Sequence, residues 1–165
     1  MNTSIRVKTK REMTIEVDIQ IACNASETPS KNKLKKWACF TLLEFLDKGE
    51  ITIRIVDAAE SRQLNQRWRK INKPTNVLSF YYGENTAPVN NYIGDIVLCA
   101  PVIIKEAKEQ KKNIEAHFAH MVIHGCLHLM GYDHEKKREA DEMETLEIDL
   151  MHKLGFTNPY QVIED

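Results

Sequence analysis

Hydrophobic and polar positions trade places along this chain in two rhythms, and the switches between them outline its elements. Ile15, Val17, Ile19 and Ile21 alternate with Thr14, Glu16, Asp18 and Gln20, which predicts a half-buried strand. Thr28-Pro29-Ser30 reads as a loop and helix start. Leu34, Trp37, Ala38, Thr41, Leu42 and Phe45 then recur at helical spacing up to Gly49, with Trp37 and Phe45 as a core stripe. Ile51, Ile53 and Ile55 alternate again as a second strand. Leu64, Trp68 and Ile71 space a helix that ends before Pro74. Val77 to Tyr82 reads as a third strand, a Gly/Asn/Pro loop follows, and Ile93 to Cys99 gives a fourth, interrupted early by Gly94-Asp95. Helices are predicted from about Pro101 to Gln110, from about Ile114 to Met130, and from beyond Asp133 to about Leu154. Strand, helix, strand, helix, two strands and three helices predict an α+β domain with a mixed sheet and one long helix packed along it.

The 165 residues suit one domain, with 28% charged and 42% hydrophobic residues. No apolar run approaches a membrane span, and no signal-peptide core sits near the start. Cys23, Cys39, Cys99 and Cys126 are isolated, which predicts buried thiols in a reducing cytoplasm. Residues 1–12 carry Arg6, Lys8, Lys10 and Arg11 and read as a basic, poorly ordered arm, and Met13 is an alternative start to Met1. The net charge of −1 hides an uneven distribution. Arg62, Arg67, Arg69, Lys70 and Lys73 fall between Ser61 and Ser79 with no acid among them, whereas acids dominate from Glu135 to Asp149. The basic stretch suits either a polyanion or a solvated helix face.

Candidate chemistry concentrates in His124 to His134, HGCLHLMGYDH. His124 and His128 are four apart, so a helix stacks both imidazoles on one face. His134 requires the chain to turn back, and Gly131 is where it can, because glycine enters the left-handed region without steric cost. Three neutral imidazoles with an open fourth position are the donor set of catalytic zinc, and also accept nickel or copper. Such a metal lowers the pKa of bound water toward roughly 7. The spacing is similar to the metzincin pattern, but Gly125 stands where those proteases carry their general-base glutamate. A mid-helix glycine costs about 1 kcal/mol relative to alanine, so Gly125 implies room for a substrate or close helix packing. His117 and His120 share the stripe of His124; His120 is expected to line the cleft or support a ligand, and His117 to be packed or solvated. Asp133 suits either an acceptor for a ligating imidazole or a helix cap.

KPTNVLSF (73–80), GDI (94–96) and HGCLHLMGYDH (124–134), in this order and separation, resemble the YbeY family of bacterial endoribonucleases over about residues 13–160. The resemblance implies a zincin-like α+β fold with a mixed four-stranded sheet and about five helices, in one domain over residues 13–165. It implies a cytoplasmic, metal-dependent enzyme cutting single-stranded RNA, not DNA. Its role would lie in ribosomal RNA maturation, notably at the 3′ end of the small-subunit RNA, and in ribosome quality control. The small subunit and its assembly factors are the expected partners. The family's zinc ligands fall on His124, His128 and His134, and its functional arginine on Arg69. A guanidinium fork suits the charge gathering on a phosphodiester in its transition state, and Lys73 is a further candidate for phosphate binding. The competing readings are a metallopeptidase or other zinc hydrolase, and a ribosome-assembly factor that binds without catalysis.

Overall fold

Alternating isoleucines do build the centre of the sheet. The computed structural model describes residues 13–83, 91–133 and 135–162. The basic arm expected over 1–12, the segment 84–90 and His134 lie outside them. The order is β1 (Thr14–Ile21), α1 (Lys31–Leu42), β2 (Lys48–Val56), α2 (Ala58–Arg69), β3 (Val77–Tyr81), β4 (Tyr92–Cys99), α3 (Ala100–Glu109), α4 (Ile114–Leu129) and α5 (Lys137–Lys153). This is the α+β order expected.

The described strands form one mixed sheet in the order β1-β2-β4-β3. β1 and β4 both run parallel to β2, and β3 runs antiparallel to β4. Pairing Ile53 with Ile96 and Ile55 with Leu98 points these side chains to one face. There they join Leu34, Trp37, Phe118, Val122 and Met151 in the main core. The opposite face carries a smaller cluster of Val56, Leu78, Val97 and Cys99, flanked by Leu64 and Phe80. α1, α4 and α5 thus cover one side of the sheet and α2 the other. β4 is not interrupted at Gly94-Asp95. The irregularity is one residue earlier, where Glu50 pairs with Tyr92 and Ile51 with Gly94, leaving Ile93 as the extra residue of a bulge.

Two helices differ from their pattern. α1 stops at Leu42 instead of running toward Gly49; Trp37 is buried, but Phe45 lies beyond the helix and is 36% exposed. α2 does not bury its apolar stripe, for Trp68 and Ile71 are exposed and Ile71 lies past the helix end. Its buried residues are Ser61 and Asn65. The reason is the loop that follows. Ser61 Oγ donates to the Thr75 carbonyl and accepts from the Thr75 N–H, and Asn65 Nδ2 donates to the Lys73 carbonyl at 2.8 Å. Buried polar side chains are tolerated where they satisfy backbone groups, and here they clamp the loop leading into β3.

α4 is the helix on which the site depends. From His117 to Leu129 every residue except His124 and His128 is buried, as expected of a helix apolar nearly all round. Among the described residues no helix is long and apolar enough to cross a membrane. All four cysteines are free; Cys99 and Cys126 are buried, whereas Cys23 and Cys39 are only half-buried.

Candidate metal centre

The C-terminal end of α4 is closed by backbone hydrogen bonds. Gly131 N–H reaches the His128 carbonyl at 3.0 Å and Tyr132 N–H reaches the Leu127 carbonyl at 3.1 Å, the paired bonds of a Schellman motif. Gly131 has φ of 94°, and a Cβ there would meet nothing within 4 Å, so the glycine serves conformation and not space. The turn predicted at Gly131 is therefore present. Its product is a correctly aimed carbonyl: Tyr132 O accepts from His128 Nδ1 at 2.8 Å. The Tyr132 ring packs edge-on to Phe45, which fixes that carbonyl from the other side.

His124 is oriented from across the core. Its Nδ1 donates to Glu147 Oε1 at 2.6 Å. Glu147 projects from α5 and is fully buried. Its other oxygen accepts from His120 Nε2 at 2.6 Å and from the Tyr160 hydroxyl. Burial pushes this carboxyl up, but the hydrogen bonds from His120 and His124 outweigh it and hold the pKa at about 2. Burial also pushes His120 down against the pull of Glu147, so His120 is a neutral donor to an anion. Tyr160, in turn, is pushed above its ordinary range by burial and by the carboxylate it bonds.

These bonds decide which ring nitrogens face each other. An ionised carboxylate and a carbonyl only accept, so both Nδ1 atoms carry a proton and the Nε2 atoms are the ones turned toward each other. His124 Nε2 and His128 Nε2 stand 3.0 Å apart. Nitrogens at that distance either share a proton in an N–H···N hydrogen bond or ligate a metal ion lying between or beside them. Tetrahedral ligation at about 2.0–2.1 Å puts two nitrogens about 3.3 Å apart, so the pair fits a zinc-sized ion. Among the described residues no group of three or more His, Cys, Asp or Glu side chains is disposed to hold a metal. The third expected ligand, His134, lies outside them.

The other candidates sort by face. His120 bonds Glu147, the same carboxylate that orients His124. His117 is packed, with Nε2 on Glu106 Oε1 at 3.1 Å. Asp133 does not cap α5. Its Oδ1 accepts from Glu135 N–H, while α5 begins at Lys137 behind Lys136, which makes no side-chain cap bond. Gly125 resolves toward close packing: a Cβ there would lie 2.9 Å from Ile96 Cγ2, and its carbonyl accepts from Ser79 Oγ at 3.1 Å. Arg69 and Lys73 sit exposed at the end of α2 and in the clamped loop, on the opposite side of the sheet from α4.

A family model described as Endoribonuclease YbeY matches residues 10–155. The chain belongs to the YbeY endoribonuclease family. The solution structure of TM1509 from Thermotoga maritima superimposes with a TM-score of 0.55 at 22% identity, covering 90% of this chain and 99% of that one, which supports the shared fold.

Within this YbeY-family chain, Glu147 is the part of the site that the sequence pattern hides. It falls in the stretch from Glu135 to Asp149 where acids dominate, yet it occupies the buried face of α5 with Met143, Leu150 and Met151. A carboxylate four residues after one apolar core position and four before another was the available signal. Tyr160 offered none, because its segment has no periodicity. It is held by its own contacts: Asn158 Oδ1 accepts its N–H, and Lys112 Nζ donates to the Pro159 carbonyl.

Proposed function

We propose that this YbeY-family chain is a metal-dependent endoribonuclease cleaving single-stranded RNA, with zinc held by His124, His128 and His134. The observation that carries the reading is the facing pair of Nε2 atoms at 3.0 Å, each ring fixed through Nδ1 by an acceptor, the buried Glu147 or the Tyr132 carbonyl. Acceptors behind metal-binding imidazoles fix the tautomer and raise ligand basicity. When bound, the zinc would supply Lewis-acid stabilisation of charge on a phosphodiester. Arg69 is the group proposed to engage the non-bridging phosphate oxygens through its planar fork, with Lys73 as a further phosphate contact. Glu147 orients His124 and keeps its Nδ1 protonated. It lies behind the ring, fully buried, so it is not placed to take a proton from substrate.

The family's activity supports a role in ribosomal RNA processing. We place that role in the cytoplasm, at the 3′ end of small-subunit RNA and in ribosome quality control, with the small subunit and its assembly factors as partners. The test is cleavage of an end-labelled single-stranded RNA by metal-stripped and zinc-reloaded protein, with His124→Ala beside it and casein as a second substrate. Cleavage restored by zinc and absent from the variant is expected. Equal cleavage by His124→Ala, or turnover of casein alone, would overturn the proposal.

A further inference from the structure

On the α2 side of the sheet lies a cavity of about 950 Å³, bordered by Trp68, Phe80, Tyr81, Tyr82, Arg54 and Asp95. Two of its aromatic rings are left in water: Trp68 is 59% exposed and Tyr81 67% exposed. Trp68 is nonetheless held in place. Its ring meets Phe80 edge-on at 6.0 Å, and the Arg67 guanidinium lies 5.2 Å from its centroid. The acids at the cavity are already engaged. Glu60 forms a bidentate pair with Arg54, and Asp95 accepts from the hydroxyls of Tyr82 and Tyr92. The flanking helix carries Arg62, Arg67 and Arg69, with Lys70 at its end and no acid from Ser61 to Ser79.

Fixed, exposed rings beside guanidinium groups form the combination that binds unpaired nucleic acid, with bases stacking and phosphates meeting cations. The cavity also shares a wall with the histidine site. Ser79 borders it and donates through Oγ to the Gly125 carbonyl on α4. The shared wall is β3, which pairs with β4 and with no other strand among the described residues. We propose that this cavity is a nucleobase subsite, in which an unpaired base of the RNA substrate stacks on Trp68 and Tyr81 while the backbone crosses the open edge of β3 toward the histidines. The inference rests on RNA being the substrate of this chain.

The test uses the full chain and a fluorescein-labelled 2′-O-methyl oligoribonucleotide, which binds without being cut, and runs cleavage of the unmodified RNA in parallel. Trp68→Ala is expected to weaken binding about tenfold, the size of one lost base–aromatic stack. Tyr81→Ala should weaken it severalfold, and Trp68→Phe should recover most of the loss. The Trp68 emission of the unmodified chain should be quenched on titration, and that quench should vanish in Trp68→Phe. Wild-type affinity and cleavage in both alanine variants, with wild-type protein active, would overturn the subsite and leave the ribonuclease standing; the cavity would then serve a different partner. Absence of binding and cleavage in the wild type itself would remove the ribonuclease reading and the subsite with it. If Trp68→Ala melts below the wild type, the quench in the unmodified chain decides, and no quench means no stacked base.

Discussion

α4 and α2 lie on opposite faces of one sheet and treat their chemical groups in opposite ways. On α4 the candidate histidines His124 and His128 stand half-buried on an otherwise buried helix, and their orienting bonds come from three other places: Glu147 on α5, the Tyr132 carbonyl beyond the Schellman turn, and Tyr160 near the end of the described residues. On α2 the buried groups are Ser61 and Asn65, which serve the following loop, while Arg69 and Trp68 face water. The difference matches what the two proposed tasks demand. Ligand nitrogens must be placed to within about half an ångström, which requires locked rotamers and supporting hydrogen bonds. Gripping a flexible polyanion requires cations and flat surfaces, which work while solvated. Changes around α4 should therefore act on stability and chemistry together, and changes on α2 on RNA binding and turnover with little effect on stability.

The largest effect that tests this contrast is expected at Glu147. Glu147→Ala leaves a ring N–H on His120 and on His124 and the Tyr160 hydroxyl without their shared acceptor. Removing one partner of a buried charged network costs about 3–5 kcal/mol, which for a chain of this size lowers Tm by roughly 10–15 °C. Glu147→Gln keeps the shape but cannot accept from all three donors, so zinc affinity should fall about 10–100-fold. Thermal melting and a chelator competition read these two quantities. A Glu147→Ala protein that melts with the wild type would mean the network does not hold α5 to α4.

The next effects come from the two glycines. Gly125→Ala drives a methyl to 2.9 Å from Ile96, where sheet and helix have no slack, and overpacking of that kind costs about 1–3 kcal/mol. Gly131→Ala meets no neighbour but must hold φ at 94°, a left-handed conformation costing about 1–2 kcal/mol for a residue with a Cβ. Denaturant unfolding separates them in a second way. Gly131→Ala should also lower zinc affinity, because its turn aims the Tyr132 carbonyl at His128; equal zinc affinity in both variants would show that the turn only ends the helix.

The same contrast explains what could be read from sequence. Period-two isoleucines located β1 and β2, and the spacing of His124, His128 and Gly131 located the candidate site, because strand alternation, helical stacking and a positive-φ turn are local rules. α2 was located as a helix, but the face it buries was not legible, because its apolar residues follow helical spacing while its polar Ser61 and Asn65 are needed by the loop that carries Lys73 and Thr75. Glu147 went unrecognised because a buried carboxylate and a surface one are the same letter. Its place between Met143 and Met151 hints at burial, and the arrival of His120 and His124 from another helix gives it its role. Gly125 carried a true signal with two explanations, and Ile96, distant in sequence, chose between them.

A smaller effect is expected on α2. Arg69→Ala and Trp68→Ala touch no core, so each should change stability by no more than about 0.5 kcal/mol. Each lost phosphate contact to single-stranded RNA should also reduce the salt dependence of binding, by about 0.7 in the log–log slope. Affinity measured over a range of salt concentrations separates the two variants. Arg69→Ala should flatten the line, and Trp68→Ala should lower it in parallel. A large loss of stability in either variant would erase the distinction between the two faces.

The smallest predicted effect lies where the faces meet. Glu106 on α3 accepts from His117 of α4 and from Asn76 Nδ2 of the loop entering β3, so one carboxylate ties the histidine helix to the loop that α2 clamps. Burial pushes this carboxyl up, but the bonds from His117 and Asn76 outweigh it and hold it below the ordinary range. A carboxyl depressed in the folded state contributes stability that is present above its unfolded pKa of about 4.3 and is lost as pH falls through the lower folded value. The side chain is 29% exposed, so solvent screening keeps the contribution small, below about 1 kcal/mol. Melting temperatures measured downward from pH 6 should therefore fall less steeply below about pH 4.3 in Glu106→Gln than in the wild type, with the two curves parallel above it. Parallel curves throughout would mean that α4 and the β3 loop are held independently, each by its own side of the sheet.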